Sequence, residues 1–335
     1  MLVVDNVPIM TQILDAPVPD LSLIVPMYNE EDGVDQFFQE VFKTFENSEV
    51  SIEIVAVNDG SSDRTMDRLR ARAEQDDRIR VVDLSRNFGK DTALCAGIDH
   101  ARGRAVIPLD ADLQDPPEVI HEMVTEWRKG FDVVYARRVD RSTDGLTKQM
   151  TAGGFYRFFN RISQIPIPEN TGDFRLMDRR VVDAIKRFPE RNRFMKGLFA
   201  WVGFKQTEVT YTRPARETGT TKWNYWKLWN FAIDGITSFS TIPLRIWTYV
   251  GGLTALVSIV YAIYLILRTL AFGRDVPGFA SIMVAVLVLG GLQLMALGII
   301  GEYLGRTYIE SKRRPLYLVQ EVVNGSDQSS ATDEP

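Results

Sequence analysis

Two aspartates one residue apart, Asp110 and Asp112, follow the apolar run Ala105 to Leu109 and precede Leu113-Gln114-Asp115-Pro116-Pro117. If the backbone turns between them, the two carboxylates can converge on one hard cation, and oxygen donors suit Mg2+ or Mn2+. Asp-x-Asp alone is a common acidic turn. Its place at the end of a strand, with more oxygen donors just after it, favours a metal site. Cys95 is the single cysteine and there are two histidines, His100 and His121, which excludes an internal disulfide and a Cys/His zinc cluster.

A second polar group, Asn58-Asp59-Gly60-Ser61-Ser62-Asp63, follows the run Ile52 to Val57. Part of it reads as a glycine turn with Ser61 or Ser62 capping the next helix. Asp59 could also accept a hydrogen bond from a nucleotide base N–H or a ribose hydroxyl. No P-loop is present, because Gly89-Lys90 runs into Asp91 with no glycine five residues earlier, and no G-x-G-x-x-G follows the first strand. NAD binding and P-loop phosphoryl transfer are therefore disfavoured.

These groups need a scaffold, and the chain supplies strand and helix patterns in alternation. Strands are expected at Leu21–Pro26, Ile52–Val57, Ile79–Leu84, Ala105–Leu109 and Asp132–Ala136. Helices are expected at Glu31–Glu46, Asp63–Glu74, Lys90–Ala101 and Pro116–Arg128. Such alternation implies a mostly parallel sheet with flanking helices, whose ligands sit beyond the carboxyl ends of the strands. Tyr28-Asn29-Glu30, Asn58-Asp59-Gly60, Asp110-Ala111-Asp112 and Arg137-Arg138 all fall there.

The second half of the chain has a different character. Ile246 to Leu267 and Val276 to Gly301 contain no charged residue, and each is long enough to cross a bilayer as a helix. Arg213, Arg216, Lys222, Lys227 and Arg245 precede the first span, and Arg306, Lys312, Arg313 and Arg314 follow the second. Basic flanks place both ends on the cytosolic side and the short connection outside. Trp223 to Phe239 carries Lys227, Asn230, Asp234 and Thr237 on one helical stripe with Trp223, Trp226 and Trp229 elsewhere, the pattern of an interfacial amphipathic helix. Tyr303 to Tyr317 is a second interfacial candidate. Met1 to Asp20 is broken by Asp5, Pro8, Asp15, Pro17 and Pro19, so it reads as a mobile tail and not as a secretory signal. The expected organisation is a tail at 1–19, a cytosolic catalytic domain at 20–222, an interfacial helix at 223–245, and spans at 246–267 and 276–301. A juxtamembrane segment at 302–323 and a disordered tail at 324–335 follow. With 39 Lys+Arg against 44 Asp+Glu, the net charge of −5 argues against a nucleic-acid partner.

PMYNEEDGV, VNDGSSDRT, LSRNFGKDTALCAGIDHARG, PLDADLQDPPE, TGDFRLMDR and GEYLGRTYIESKRRP stand in this order over about residues 20–320. Together they resemble the family-2 glycosyltransferases that act on polyprenyl phosphate, nearest to bactoprenol glucosyltransferases and more distantly to dolichyl-phosphate mannose synthases. The resemblance implies a GT-A-type α/β fold with interfacial helices and a two-helix transmembrane hairpin. It implies an inverting, metal-dependent hexosyltransferase of the inner membrane, using Mg2+ or Mn2+. The donor would be a nucleotide sugar, most simply UDP-glucose, and the acceptor a polyprenyl (undecaprenyl) phosphate. A homo-oligomer, a tetramer as in similar proteins, is also implied. On this resemblance Pro26, Tyr28, Glu30, Asp59, Asp110 and Gln114 hold the nucleotide sugar, and Asp110 and Asp112 hold the metal. Arg137 faces the active site, and Asp173 matches the acidic residue proposed as base. Arg213 to Lys222 matches a basic loop before the membrane.

Charge repulsion between donor and acceptor is the chemical obstacle. A phosphate monoester has a second pKa near ~6, so the acceptor oxygen is largely ionised at neutral pH and needs little deprotonation. Asp173 is then either a base that is not obligatory or a group that orients Arg175 or the sugar. Arg137, Arg175, Arg213, Arg216 and Lys222 are candidates to screen the two anions, Arg213, Arg216 and Lys222 on the lipid phosphate. Alternative donors are GDP-mannose or a modified UDP-sugar. A processive polysaccharide synthase would need more spans and a Gln-x-x-Arg-Trp-type motif, for which Arg191-Asn192-Arg193-Phe194 is a poor substitute. An inactive membrane scaffold would not need Asp59, Asp110 and Asp112.

Overall fold

The structure, a computed structural model, describes residues 17–139, 171–188, 190, 195–212, 242–272 and 278–324. The N-terminal half alternates strand and helix: β1 (Leu21–Met27), α1 (Val34–Phe45), β2 (Ile52–Asn58), α2 (Thr65–Ala73), β3 (Ile79–Leu84), α3 (Lys90–His100), β4 (Ala105–Pro108), α4 (Val119–Arg128) and β5 (Val133–Arg138). Then come β6 (Thr171–Asp178), α5 (Arg179–Lys186), α6 (Met195–Trp201), β7 (Gln206–Tyr211), α7 (Ile242–Phe272), α8 (Phe279–Ser311) and β8 (Val319–Asn324).

The strands form one sheet in the order β7-β5-β6-β4-β1-β2-β3-β8. β4, β1, β2 and β3 run parallel as neighbours, and β7 is parallel to β5. Only β6 and β8 run against the rest. The mostly parallel sheet flanked by helices is thus present. Alternate residues of β1 feed opposite faces. Leu21, Leu23 and Val25 pack with Phe37, Phe38, Val41 and Leu69 on one side, while Ile24 meets Leu94, Cys95 and Ile98 of α3 on the other. α3 lies so close to β1 that a Cβ at Gly97 would stand 2.1 Å from the Ile24 Cγ2 methyl. Only glycine permits that approach, and it fixes where the amino end of α3 emerges.

Several boundaries differ from the sequence reading for local reasons. α2 begins at Thr65, not at Asp63, and neither Ser61 nor Ser62 caps it. Instead Asp63 Oδ1 accepts from the Thr65 amide at 3.0 Å, and the two serines bond to Asn29 and Asn58. α8 runs on as helix through Ser311, past the expected end of the second span, and β8 follows within residues read as juxtamembrane. β8 closes the β3 edge of the sheet. Its Glu321 pairs with Arg70 at 2.6 Å, the Leu318 carbonyl accepts from the Ser85 amide, and the Tyr317 hydroxyl donates to Asp99 at 2.8 Å. α7 and α8 contain stretches, Leu244–Phe272 and Val284–Ser311, that are long and apolar enough to cross a membrane, with their side chains unburied.

The chain leaves the sheet before these helices and rejoins it after them at one end. Tyr211 ends β7 opposite Arg138, at the carboxyl end of β5, and the chain then continues to α7. After α8 the chain rejoins the sheet with Val319 opposite Leu84, at the carboxyl end of β3. Both links to the apolar pair therefore leave from the strand ends where an α/β sheet binds ligands.

Candidate active site

A cavity of about 290 Å³ opens at those strand ends, lined by Pro26, Met27, Tyr28, Glu30, Asp59, Asn87, Gly89, Lys90, Asp110, Ala111 and Asp112. Six of the residues expected from sequence, Pro26, Tyr28, Glu30, Asp59, Asp110 and Asp112, meet there.

Side-chain stitches hold the walls. Asn29 takes a left-handed backbone (φ 53°) at the end of β1. Its Oδ1 accepts from the Ser62 amide at 2.8 Å, and its own amide donates to Ser61 Oγ at 3.0 Å. Ser61 Oγ donates to Asn58 Oδ1 at 2.6 Å, and the Asn58 amide group donates to Asp83 at 2.7 Å. The Glu30 amide donates to Thr65 Oγ1. The turn after β1 is thereby fixed to the turn after β2.

Asp59 is buried, and both carboxylate oxygens are engaged. They accept from the Phe88 amide at 2.7 Å and the Gly89 amide at 2.9 Å. Burial raises its carboxyl above the usual aspartate value, although these two bonds oppose the shift. Asp59 thus fixes the loop between β3 and α3. Gly60 beside it (φ 62°) packs so tightly on that loop that a Cβ would stand 2.3 Å from the Arg86 carbonyl carbon. The anchored loop ends at Gly89 (φ 96°), which opens α3.

Lys90, the first residue of α3, was not foreseen as a site residue. Its Nζ lies 2.7 Å from Asp110 Oδ1 and 2.9 Å from Asp110 Oδ2, and 3.2 Å from Asp173 Oδ2. Burial disfavours its charge, but Asp110 and Asp173 outweigh that and hold the ammonium above the usual lysine range. The helix start thereby bridges the end of β4 and the start of β6.

After Asp110 the chain turns through Leu113, again left-handed (φ 53°). Asp112 Oδ1 accepts from the Gln114 amide at 3.2 Å, and Asp115 accepts from the Tyr211 hydroxyl at 2.5 Å. The acidic turn is thus tied to the end of β7. Gln114 Nε2 is buried with no hydrogen-bond partner among the described residues, a donor that a ligand could satisfy. Asp110 already receives a cation on oxygen donors, which suits a hard divalent ion. Among the described residues no group of three or more His, Cys, Asp or Glu could hold a metal. Two carboxylates with the remaining ligands drawn from substrate phosphates is a usual arrangement for Mg2+. The residues present fit such an ion.

Arg137 and Arg175 do not line the cavity. Arg137 pairs with Glu208 on β7 at 3.0 Å. Arg175 is buried two residues after Asp173, with Nη2 donating to the Gly172 carbonyl at 2.7 Å and the guanidinium 4.2 Å over the Phe199 ring. Burial pushes it down to about 10, so it remains charged at neutral pH, beneath Asp173. Its Nε has no hydrogen-bond partner among the described residues. Arg213, Arg216 and Lys222, and the amphipathic stretch 223–239, lie outside the described residues.

Two family descriptions match the chain: glycosyl transferase family 2 over residues 22–186 and the GtrB C-terminal hairpin over residues 242–307. An uncharacterized glycosyltransferase of Synechocystis sp. is 57% identical over 90% of this chain and 95% of its own length. A prophage bactoprenol glucosyl transferase homolog of Escherichia coli K12 is 51% identical, covering 90% of this chain and 99% of its own. The bactoprenol glucosyl transferase of Shigella phage SfV is 51% identical, covering 90% and 98%.

Proposed function

Because the chain belongs to glycosyl transferase family 2, we propose that it is a membrane-bound hexosyltransferase moving glucose from UDP-glucose to a polyprenyl phosphate. The observation that carries this reading is its likeness to bactoprenol glucosyl transferases over nine-tenths of the chain, too much to leave out either the sheet or the apolar helices.

The site geometry supports it. Pro26, Tyr28, Glu30 and Asn87 wall a cavity at the carboxyl ends of β1 and β4, where a nucleotide can lie against the strand ends. Asp59 acts from behind by fixing the loop that carries Gly89 and Lys90. Asp110 and Asp112 would hold Mg2+ or Mn2+. When bound there, the ion supplies positive charge to the diphosphate as it leaves. Gln114 offers its buried amide to the donor. An oxygen of the lipid phosphate attacks the anomeric carbon as the bond from that carbon to the diphosphate oxygen breaks, which inverts the configuration. Arg213, Arg216 and Lys222 follow β7 in sequence, and β7 ends beside the acidic turn. In this reading that basic segment receives the lipid phosphate.

The helices α7 and α8 anchor the site to the cytosolic face of the membrane in this reading, and four copies assemble. A cysteine at Thr269, with Cys95 replaced by serine, should then label with an impermeant maleimide in intact cells. Labelling only after lysis would reverse the topology.

The direct test supplies the detergent-purified chain with undecaprenyl phosphate and a panel of nucleotide sugars. Organic extraction should recover labelled lipid from UDP-glucose, and EDTA should abolish it. Transfer from GDP-mannose alone, or sugar release without lipid product, would reject the assignment.

A further inference from the structure

Among the described residues, the cation set directly on Asp110 is a side chain. Lys90 Nζ bridges both oxygens of Asp110 and one oxygen of Asp173. Its position is built. Gly97 lets α3 press onto β1, Asp59 fixes the two amides before the helix, and Gly89 turns the chain into it. An ammonium within hydrogen-bond distance of both oxygens of a carboxylate occupies the face that a divalent ion would otherwise use. Two cations cannot share that face without repulsion at short range.

We propose that Lys90 is an internal counter-ion that competes with the divalent metal for Asp110 until a nucleotide diphosphate arrives to take it. This rests on the reading of Asp110 and Asp112 as metal ligands. Before donor binding, Lys90 neutralises Asp110 and Asp173 and keeps metal affinity low. The diphosphate brings new anionic oxygens to the cavity that Lys90 lines. The ammonium transfers to them, and Asp110 is released to the ion. Metal and nucleotide therefore bind with positive coupling, and by linkage each raises the affinity of the other by the same factor. No covalent step is involved.

The test reads Mn2+ binding on the full-length detergent-solubilised protein from the spectroscopic signal of free Mn2+, with and without UDP. Lys90→Gln should bind Mn2+ alone at least about tenfold more tightly than wild type, as expected when a competing charge is removed. The factor by which UDP tightens Mn2+ should shrink by a similar amount. Lys90→Arg keeps the charge and should stay near wild type; Lys90→Met repeats the neutral test should the glutamine variant fold poorly. Unchanged or weaker Mn2+ binding in both neutral variants, with UDP coupling intact, overturns the proposal. So does an arginine variant that behaves like glutamine. Asp112→Asn is the control for the underlying reading: if it leaves wild-type Mn2+ binding untouched, the metal site itself is wrong, whatever Lys90 does.

Discussion

The same parallel strands carry a charge cluster at each end, and the two clusters are built differently. At the amino end, buried Glu53 accepts from Ser22 Oγ at 2.5 Å, from the amides of Arg102 and Gly103 at 2.6 and 3.2 Å, and from Arg102 Nε at 3.0 Å. Four donors meet one carboxylate, and its side chain is buried. At the carboxyl end, Asp59, Lys90, Asp110 and Asp173 are also linked to one another or to the backbone. Their cluster faces a cavity, stands next to the left-handed residues Asn29 and Leu113, and has Gln114 Nε2, which has no partner among the described residues, close by in the chain. Strained backbone and unmet donors persist where surrounding structure enforces them, and they gather where ligands bind. A closed, satisfied cluster serves stability; an open, partly satisfied one serves a ligand.

The sharpest way to break that contrast is one substitution at each end. Asp112→Asn changes little volume but removes a charged oxygen from the acidic turn. Transfer should fall by at least ~10²-fold, the loss expected on removing a main electrostatic stabiliser, with the melting temperature unchanged. Near-normal, EDTA-sensitive turnover would show that the open cluster is not the metal site. Glu53→Gln should do the reverse. It turns an amide N–H2 toward donors that need an acceptor, which costs about 2 kcal/mol of stability by denaturant titration. Activity per folded molecule should not change, and a specific-activity loss at matched folded fraction would erase the division between the ends.

Asp59 stands between the two types, because it lies in the open cluster yet has both oxygens bound to backbone. Asp59→Asn keeps one acceptor and should cost about 1 kcal/mol. The pH dependence has a definite sign. Burial holds the folded-state pKa above its unfolded value, so the folded protein binds the extra proton. That part of wild-type stability is present at low pH and is lost as pH rises from about 4. The asparagine variant lacks this slope, so its deficit against wild type should narrow as pH rises. A deficit that widens would mean the carboxylate is stabilised in place.

Much of this contrast was legible in the sequence. Polar residues at the ends of apolar runs located β1, β2 and β4 and the acidic turn, because a parallel sheet collects its strand ends on one side. What escaped were relations between residues far apart in the chain. Lys90 read as the opening of a helix; its partners are 20 and 83 residues later, and only the packing of Gly97 on β1 brings them together. Asp59 read as a nucleotide contact and does line the cavity, but its bonds to two amides in the loop before α3 were not anticipated. Arg137 read as facing the site but pairs with Glu208, on a strand not foreseen. The serines after Asp59 bond to asparagines of two other strand ends, which local capping rules do not anticipate. β8 was hidden because an edge strand is defined by the neighbour it pairs with, here β3.

The smallest effect expected belongs to Asp173, and it decides what the open cluster does. Asp173 faces Lys90 at 3.2 Å and stands above the buried Arg175 guanidinium, so its surroundings are those of a counter-ion between two cations. The acceptor of the proposed reaction is a phosphate monoester, largely ionised above its second pKa of ~6, and has little need of a base. Asp173→Asn should lower kcat by less than about tenfold, below the ~10²–10⁴-fold that general-base help supplies. The loss should not steepen as pH falls from 8 to 7, since no proton is removed from the nucleophile in that interval. Lys90, left with Asp110 alone, should still hold the site in register, so KM for the donor should move more than kcat. A variant that binds both substrates normally, loses ~10²-fold or more in kcat and recovers as pH rises would make Asp173 the base. The cluster would then deprotonate a nucleophile, and its second cation would serve to tune that base. With the smaller, pH-flat loss, the work of the cluster is to hold two anions and a metal within reach of one sugar carbon.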